Sequence, residues 1–173
     1  MDRFDTEKGW VNVWGDEVFE HEGITISASE QTTGGLSFLD GTLLWKNYVY
    51  TSEVIVEKGL TVTLLGRYQD ASDYVSCTFT DGGVLIQIRR SGTETVVAQE
   101  FSETFTHGVP VKIFQRVENN IVSCGIQDNL LISFSVEIPG FPLPETGGIG
   151  LKTWDPQTNN SSAYFLEIQV DPL

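Results

Sequence analysis

Positive charge is scarce in this sequence: ten Lys and Arg stand against twenty-four Asp and Glu, a formal net charge of −14. A surface of that sign repels phosphate backbones and anionic headgroups, so nucleic acid and membrane are excluded as expected partners, and a neutral ligand or a cation suits it best. Long apolar stretches are also missing, with no run of about eighteen residues that would span a bilayer. The start, Met1-Asp2-Arg3-Phe4-Asp5, has neither the basic end nor the apolar core of a secretion leader. The expectation is a domain of a secreted or surface protein whose leader and neighbouring domains fall outside this sequence.

Histidine and cysteine are nearly absent. His21 and His107 sit in no nucleophile or metal motif. Cys77 and Cys124 have no Cys-x-x-Cys spacing and no nearby His, which removes zinc and thiol redox chemistry. Both fall at inward positions of alternating strands. They read as buried thiols in preference to a cross-strand disulfide.

What is present is material for a packed all-β domain. Hydrophobic residues make up 40% of the 173, charged residues only 20%, and ten Phe, five Tyr and four Trp are available for burial. A chain of this length supports one core, so 1–173 reads as a single domain. Gly, Asn, Asp and Pro recur about every ten residues, and β-branched or aromatic runs fill the intervals, the pattern of a β-sandwich. Strands are expected at 11–13, 18–20, 24–27, 35–38, 48–56, 60–68, 74–79, 84–90, 94–99, 111–117, 121–127, 130–135, 149–153 and 163–170. Turns at Asp81-Gly82-Gly83, Ser91-Gly92, Glu118-Asn119-Asn120 and Asp128-Asn129 make their flanking strands antiparallel. The three prolines of Pro139-Gly140-Phe141-Pro142-Leu143-Pro144 rule out a central strand and predict a crossing loop.

Alternation assigns faces. Val54, Val56, Leu60, Val62, Leu64, Val75, Cys77, Phe79, Val84, Ile86, Ile88, Val122, Cys124, Ile126, Ile149 and Leu151 should point inward. Glu53, Thr63, Leu65, Arg67, Tyr74, Ser76, Thr78, Leu85, Gln87, Arg89, Lys152 and Trp154 should point outward. The landmarks Gly9-Trp10, Glu22-Gly23-Ile24, Trp45-Lys46-Asn47-Tyr48, Leu65-Gly66-Arg67-Tyr68-Gln69-Asp70, Gly147-Gly148-Ile149-Gly150-Leu151-Lys152-Thr153-Trp154 and Ala163-Tyr164-Phe165-Leu166-Glu167-Ile168 follow in order along nearly the whole chain. This series resembles the concanavalin A-like lectin/glucanase (laminin-G-like) domains, including family 66 carbohydrate-binding modules and 3-keto-disaccharide hydrolase-like domains. The resemblance implies a two-sheet antiparallel jelly roll with ligand on the concave sheet or its rim loops. It also implies that Glu53 and Arg67 act as the acidic and arginine groups with which family 66 modules hold a fructan end.

The candidate ligand-binding residues are therefore Glu53, Arg67, Tyr74, Gln87, Arg89 and Trp154. A guanidinium fork can hold hydroxyls or a carboxylate, a carboxylate can accept from sugar hydroxyls, and an aromatic plate matches the apolar face of a sugar ring. The competing structural reading makes Glu53 and Arg67 a surface ion pair and Asp70 and Asp73 turn caps. Hydrolysis is disfavoured. Glu167-Ile168-Gln169-Val170-Asp171 is the nearest run to the Glu-x-Asp-x-x-Glu of family 16 glucanases, and it has Gln at the middle position. Asp2, Asp5 and Asp171 offer oxygens for a structural Ca2+ without a recognisable calcium loop. The expected function is non-catalytic binding of an oligosaccharide or polysaccharide, extracellular or at a cell surface. An adhesion domain is the first alternative and a glycoside-cleaving enzyme the second.

Overall fold

A computed structural model of the chain describes residues 9–20, 23–135 and 144–173. The alternating runs become fourteen strands: β1 (Trp10–Trp14), β2 (Asp16–Glu20), β3 (Gly23–Ser27), β4 (Gly34–Leu39), β5 (Tyr48–Lys58), β6 (Thr61–Asp70), β7 (Asp73–Thr80), β8 (Gly83–Arg90), β9 (Thr93–Phe101), β10 (Val111–Glu118), β11 (Ile121–Ile126), β12 (Asn129–Ser135), β13 (Gly148–Trp154) and β14 (Ser162–Pro172). They form two seven-stranded sheets, β1-β4-β13-β6-β7-β8-β9 and β12-β11-β10-β5-β14-β3-β2. Neighbours such as β6 and β7, or β5 and β14, run antiparallel. This is the all-β, two-sheet antiparallel sandwich expected from the alternation. Phe4, His21, Asp2, Asp5 and most of the expected proline-rich crossing, residues 139–143, lie outside the described residues.

Strand β5 shows why the layers close. Tyr48, Tyr50, Ser52, Val54 and Val56 are buried, while Val49, Thr51, Glu53 and Ile55 between them are half-buried. One face thus carries the apolar area that must leave water. Its partners come from both sheets: Val62, Leu64, Val75, Phe79 and Ile86 from the first, Ile113, Val122 and Phe165 from the second, in one buried cluster. Each such side chain contributes roughly 1.5–3 kcal/mol on burial. Leu60 departs from expectation. It is 40% exposed, because it sits in the link before β6 and not within the ladder.

That link decides which strands can be neighbours. Two residues join β5 to β6, a length that suits a hairpin, yet β5 belongs to the second sheet and β6 to the first. The chain crosses the sandwich there. Elsewhere the short turns are true hairpins, as at Ser91-Gly92, where φ values of 48° and 81° allow Arg90 to pair with Thr93.

The cysteines also differ from expectation. They are bonded to each other, with Cα atoms 5.7 Å apart, linking β7 of the first sheet to β11 of the second. Both were legible as inward; what alternation could not show is that the two positions meet across the layers. The bond closes a separation of 47 residues. Chain-entropy reasoning puts its contribution near 4 kcal/mol, with measured values commonly about 2–4. Reduction under non-denaturing conditions should therefore lower the unfolding free energy by about 2–4 kcal/mol in urea titrations. Unchanged midpoints for oxidised and reduced protein would contradict this.

Candidate binding face

The outer faces of the two sheets differ in access. On the first sheet, outward residues such as Thr63, Leu65, Ser76 and Thr78 are buried, and Leu36, Leu65, Tyr68 and Tyr74 form a second apolar cluster separate from the interior. On the second sheet, outward residues such as Thr51, Glu53 and Ile55 stay half-exposed, and Lys112 and Arg116 are exposed. Side chains converge on a concave face and splay on a convex one, so the closer packing of the first sheet's outer side chains fits that surface to the concave face expected from the resemblance.

A polar network lies across this surface and is directed at Glu94. Thr63 and Thr78 hydroxyls are 3.2 Å apart, and the Thr78 hydroxyl donates to Gln87 Oε1 at 2.5 Å. That bond fixes the amide, whose Nε2 donates to Glu94 Oε1 at 2.9 Å. Glu94 Oε2 accepts from the Tyr74 hydroxyl at 3.3 Å and from Lys152 Nζ at 3.4 Å, and Lys152 also donates to Tyr74 at 3.3 Å. Arg89 stands 3.9 Å from the same carboxylate oxygen and 6.0 Å from the Tyr74 ring centre. Burial, reinforced by the charge of Glu94, pushes the Tyr74 phenol up, and burial pulls the Lys152 ammonium down against the opposing pull of Glu94. Lys152 is held by packing as well as charge, with its side chain only 11% exposed.

Trp154 ends β13 beside this network. Its ring lies 6.0 Å from Lys152 Nζ and is 40% exposed. The loop that follows is fastened by Asp155, whose carboxylate accepts from the Gln157 and Thr158 amides and from the Thr158 hydroxyl at 2.6 Å. The Thr158 bond, with the two amides, holds this carboxyl below the usual range. The polar loop after Trp154 is therefore a capped turn that fixes the end of β13.

Four of the six expected residues, Tyr74, Gln87, Arg89 and Trp154, share the concave face. Glu53 does not. It lies on β5, between Lys112 and Leu166 on the outer face of the second sheet, so no pairing with Arg67 is possible. Arg67 is not presented outward either. Leu65 and Tyr68 occupy the same cluster with Gly66 and Arg67 between them, so a bulge has absorbed one step of the alternation. Arg67 takes a φ of 46° and is 2% exposed; its amide donates to the Tyr48 hydroxyl at 2.9 Å and its guanidinium to the Pro144 carbonyl at 2.9 Å. It holds the segment entering β13.

Glu94 and Lys152 are the additions. Lys152 was legible as outward, and Glu94 follows from counting outward through the Ser91-Gly92 hairpin, which pairs it with Arg89. Asp70 and Asp73 are structural, as the bland reading holds: Asp70 caps the turn by accepting from the Ser72 amide, and Asp73 accepts from Arg90. No group of three or more potential metal ligands exists among the described residues. Two cavities, of about 370 and 430 Å3, lie elsewhere, one between the 102–111 segment and the β11–β12 turn, the other beside Trp45, Tyr48 and Val170.

No protein-family model matches the chain, and no curated protein matches it. Solved structures do. The carbohydrate-binding module CBM66 from Bacillus subtilis superposes with a TM-score of 0.77 at 16% identity, over 94% of this chain and 95% of that one. This chain has the concanavalin A-like jelly-roll fold. The exoplasmic/lumenal domain of VIP36 in its Ca2+/Man-bound form (TM-score 0.69, 9% identity, 95% and 83% covered) and the Bacillus licheniformis β-glucanase (0.69, 9%, 99% and 96%) are similar too. Binding proteins and an enzyme share this frame, so function must be argued from the site.

The Tyr48 phenol joins the two sheets. Its hydroxyl accepts from the Arg67 amide and donates to the Gly148 carbonyl at 3.4 Å, and burial pushes it up to about 12. A raised folded-state value means the stability is complete below pH 10, where the unfolded phenol is also neutral, and is lost as pH rises towards 12. The span from 10 to about 12 corresponds to roughly 2–3 kcal/mol. Urea titrations should show a steeper loss between pH 10 and 12 in the parent than in Tyr48→Phe; equal slopes would refute the assignment.

Proposed function

We propose that this domain is a non-catalytic carbohydrate-binding module whose site is the concave face of the first sheet. The observation that carries the reading is the conjunction there of a half-exposed indole, Trp154, with a pre-ordered polar network centred on Glu94. Sugar rings present an apolar face and a rim of hydrogen-bonding groups, and a fixed plate beside fixed polar groups meets both without ordering cost on binding. Trp154 serves as the platform, Arg89, Lys152 and Gln87 as the polar pole, and Tyr74 as the support beneath them. Similarity of fold to CBM66 and VIP36 supports the carbohydrate class, and the inter-sheet disulfide supports an oxidising, extracellular or secretory location. Glycoside cleavage is the weaker reading. Glu94 already accepts from Gln87, Tyr74 and Lys152, and Glu167, in the run compared with family 16 glucanases, sits exposed on β14 of the second sheet.

One observation favours an interaction domain instead: the polar side chains of the concave face are largely paired among themselves. A glycan array followed by affinity electrophoresis separates the two. The carbohydrate reading expects retention by at least one glycan, with Trp154→Ala and Arg89→Ala each weakening it about tenfold or more while Glu53→Ala leaves it unchanged. No retention on any glycan would overturn it and leave the interaction reading standing.

A further inference from the structure

Hydrogen-bond direction on the concave face is asymmetric. The Thr78 hydroxyl gives its proton to Gln87, so the Thr63 hydroxyl must donate to Thr78; Gln87, Tyr74 and Lys152 in turn donate to Glu94. The local acceptors, Gln87 Oε1 and both Glu94 oxygens, are thereby engaged. Lone pairs remain on Gln87 Oε1 and Glu94 Oε1, but the donors in reserve are more numerous and most are charged. An amide, an ammonium and a guanidinium each carry more N–H groups than the network uses. Arg89 is the clearest case: its approach to Glu94 is long at 3.9 Å and 31% of its side chain is exposed, while its unpartnered Nε is itself buried, which leaves the terminal guanidinium nitrogens to face a ligand. Ser76 also has an unpartnered hydroxyl, but it is buried beneath the network.

Charge points the same way. Two cations, Arg89 and Lys152, share the single carboxylate of Glu94. The Glu94 cluster itself carries one excess positive charge within a chain of net charge −14, with Asp70 a further anion near enough to Tyr68 to raise its phenol. At physiological ionic strength charges beyond about 8 Å are largely screened, so the local excess governs what seats there and the global charge does not.

Resting on the carbohydrate reading, we propose that the ligand is an anionic glycan, whose uronate carboxylate or sulfate ester accepts from Arg89 and Lys152 while a sugar ring lies on Trp154. This replaces the neutral ligand that net charge alone suggests. A planar carboxylate or a sulfate brings several charged acceptor oxygens to the two cations, and a guanidinium fork receives two of them at once.

Isothermal titration of the intact domain with an oligogalacturonate, with its carboxyl-reduced neutral counterpart, and with a sulfated oligosaccharide tests this. Binding of an anionic ligand at least tenfold tighter than the neutral one supports the proposal and, by which of the two binds, identifies the anion. Arg89→Gln should remove that preference, Arg89→Lys should retain part of it, and Arg116→Gln, on the second sheet, should change nothing. Equal or tighter binding of neutral glycans overturns the anionic inference while leaving the carbohydrate reading intact. Absence of binding to every glycan overturns both, and anion binding indifferent to Arg89→Gln overturns the site.

Discussion

One hydrogen bond between the sheets sets much of the functional geometry: the amide of Arg67, on β6, donates to the hydroxyl of Tyr48, on β5. It pins the bulge in β6 from inside the sandwich. With Gly66 and Arg67 absorbed there, Tyr68 takes the outward position, where it stacks between Phe38 and Tyr74 at 5.0 and 6.3 Å. The same bulge receives the chain entering β13. Gly147 lies so close to Arg67 that any side chain there would collide with its backbone, and the Arg67 guanidinium holds Pro144. The register of β13 follows, and with it the placing of Lys152 and Trp154. A residue that looked like a ligand contact thus acts as the strut that aims two others.

Above that strut the concave face combines an apolar floor with a polar layer. Leu36, Leu65, Tyr68 and Tyr74 are as inaccessible as core residues, so the network above them works in a medium less polar than water. That raises the value of each bond made and the cost of each bond missed. Lys152, nearly buried, needs Glu94, and Glu94 in turn orders Gln87 and Tyr74. Rigidity here is a property of the whole set, since removing the shared acceptor would leave several donors and a buried ammonium uncompensated.

The fold was legible because alternation of residues is local and burial follows it. The strands and the inward faces of β7, β8 and β13 came from that rule, and the hairpins from the Gly, Asn and Asp residues between the runs. Placement on the first sheet's outer face was legible only where the same rule continued unbroken, as it did for Tyr74, Gln87, Arg89 and Trp154. It failed at Arg67 because the bulge is imposed by Tyr48 and Gly147, far away in sequence, and at Glu53 because the two residues between β5 and β6 cross between sheets. The disulfide was hidden for a related reason: positions 77 and 124 each read as inward, but which inward residues meet depends on how the layers stack. Glu94 was within reach of the sequence, since the Ser91-Gly92 turn fixes its pairing with Arg89.

A self-paired network can be taken as a sign that a surface is finished and needs no ligand. The direction of the bonds argues otherwise. If the face were only a structural layer, donors and acceptors would be expected to balance, because an unmet buried N–H costs as much as an unmet acceptor. Here Glu94 is engaged by three donors while Arg89, 3.9 Å from it, keeps 31% of its side chain exposed, and Lys152 links the cluster to a half-exposed Trp154. Pairing then serves to hold the donors in place, and their excess is what selects the partner. In a chain so rich in carboxylates, the meeting of two cations, Arg89 and Lys152, at the one carboxylate of Glu94 is the feature that a purely structural account leaves without a cause.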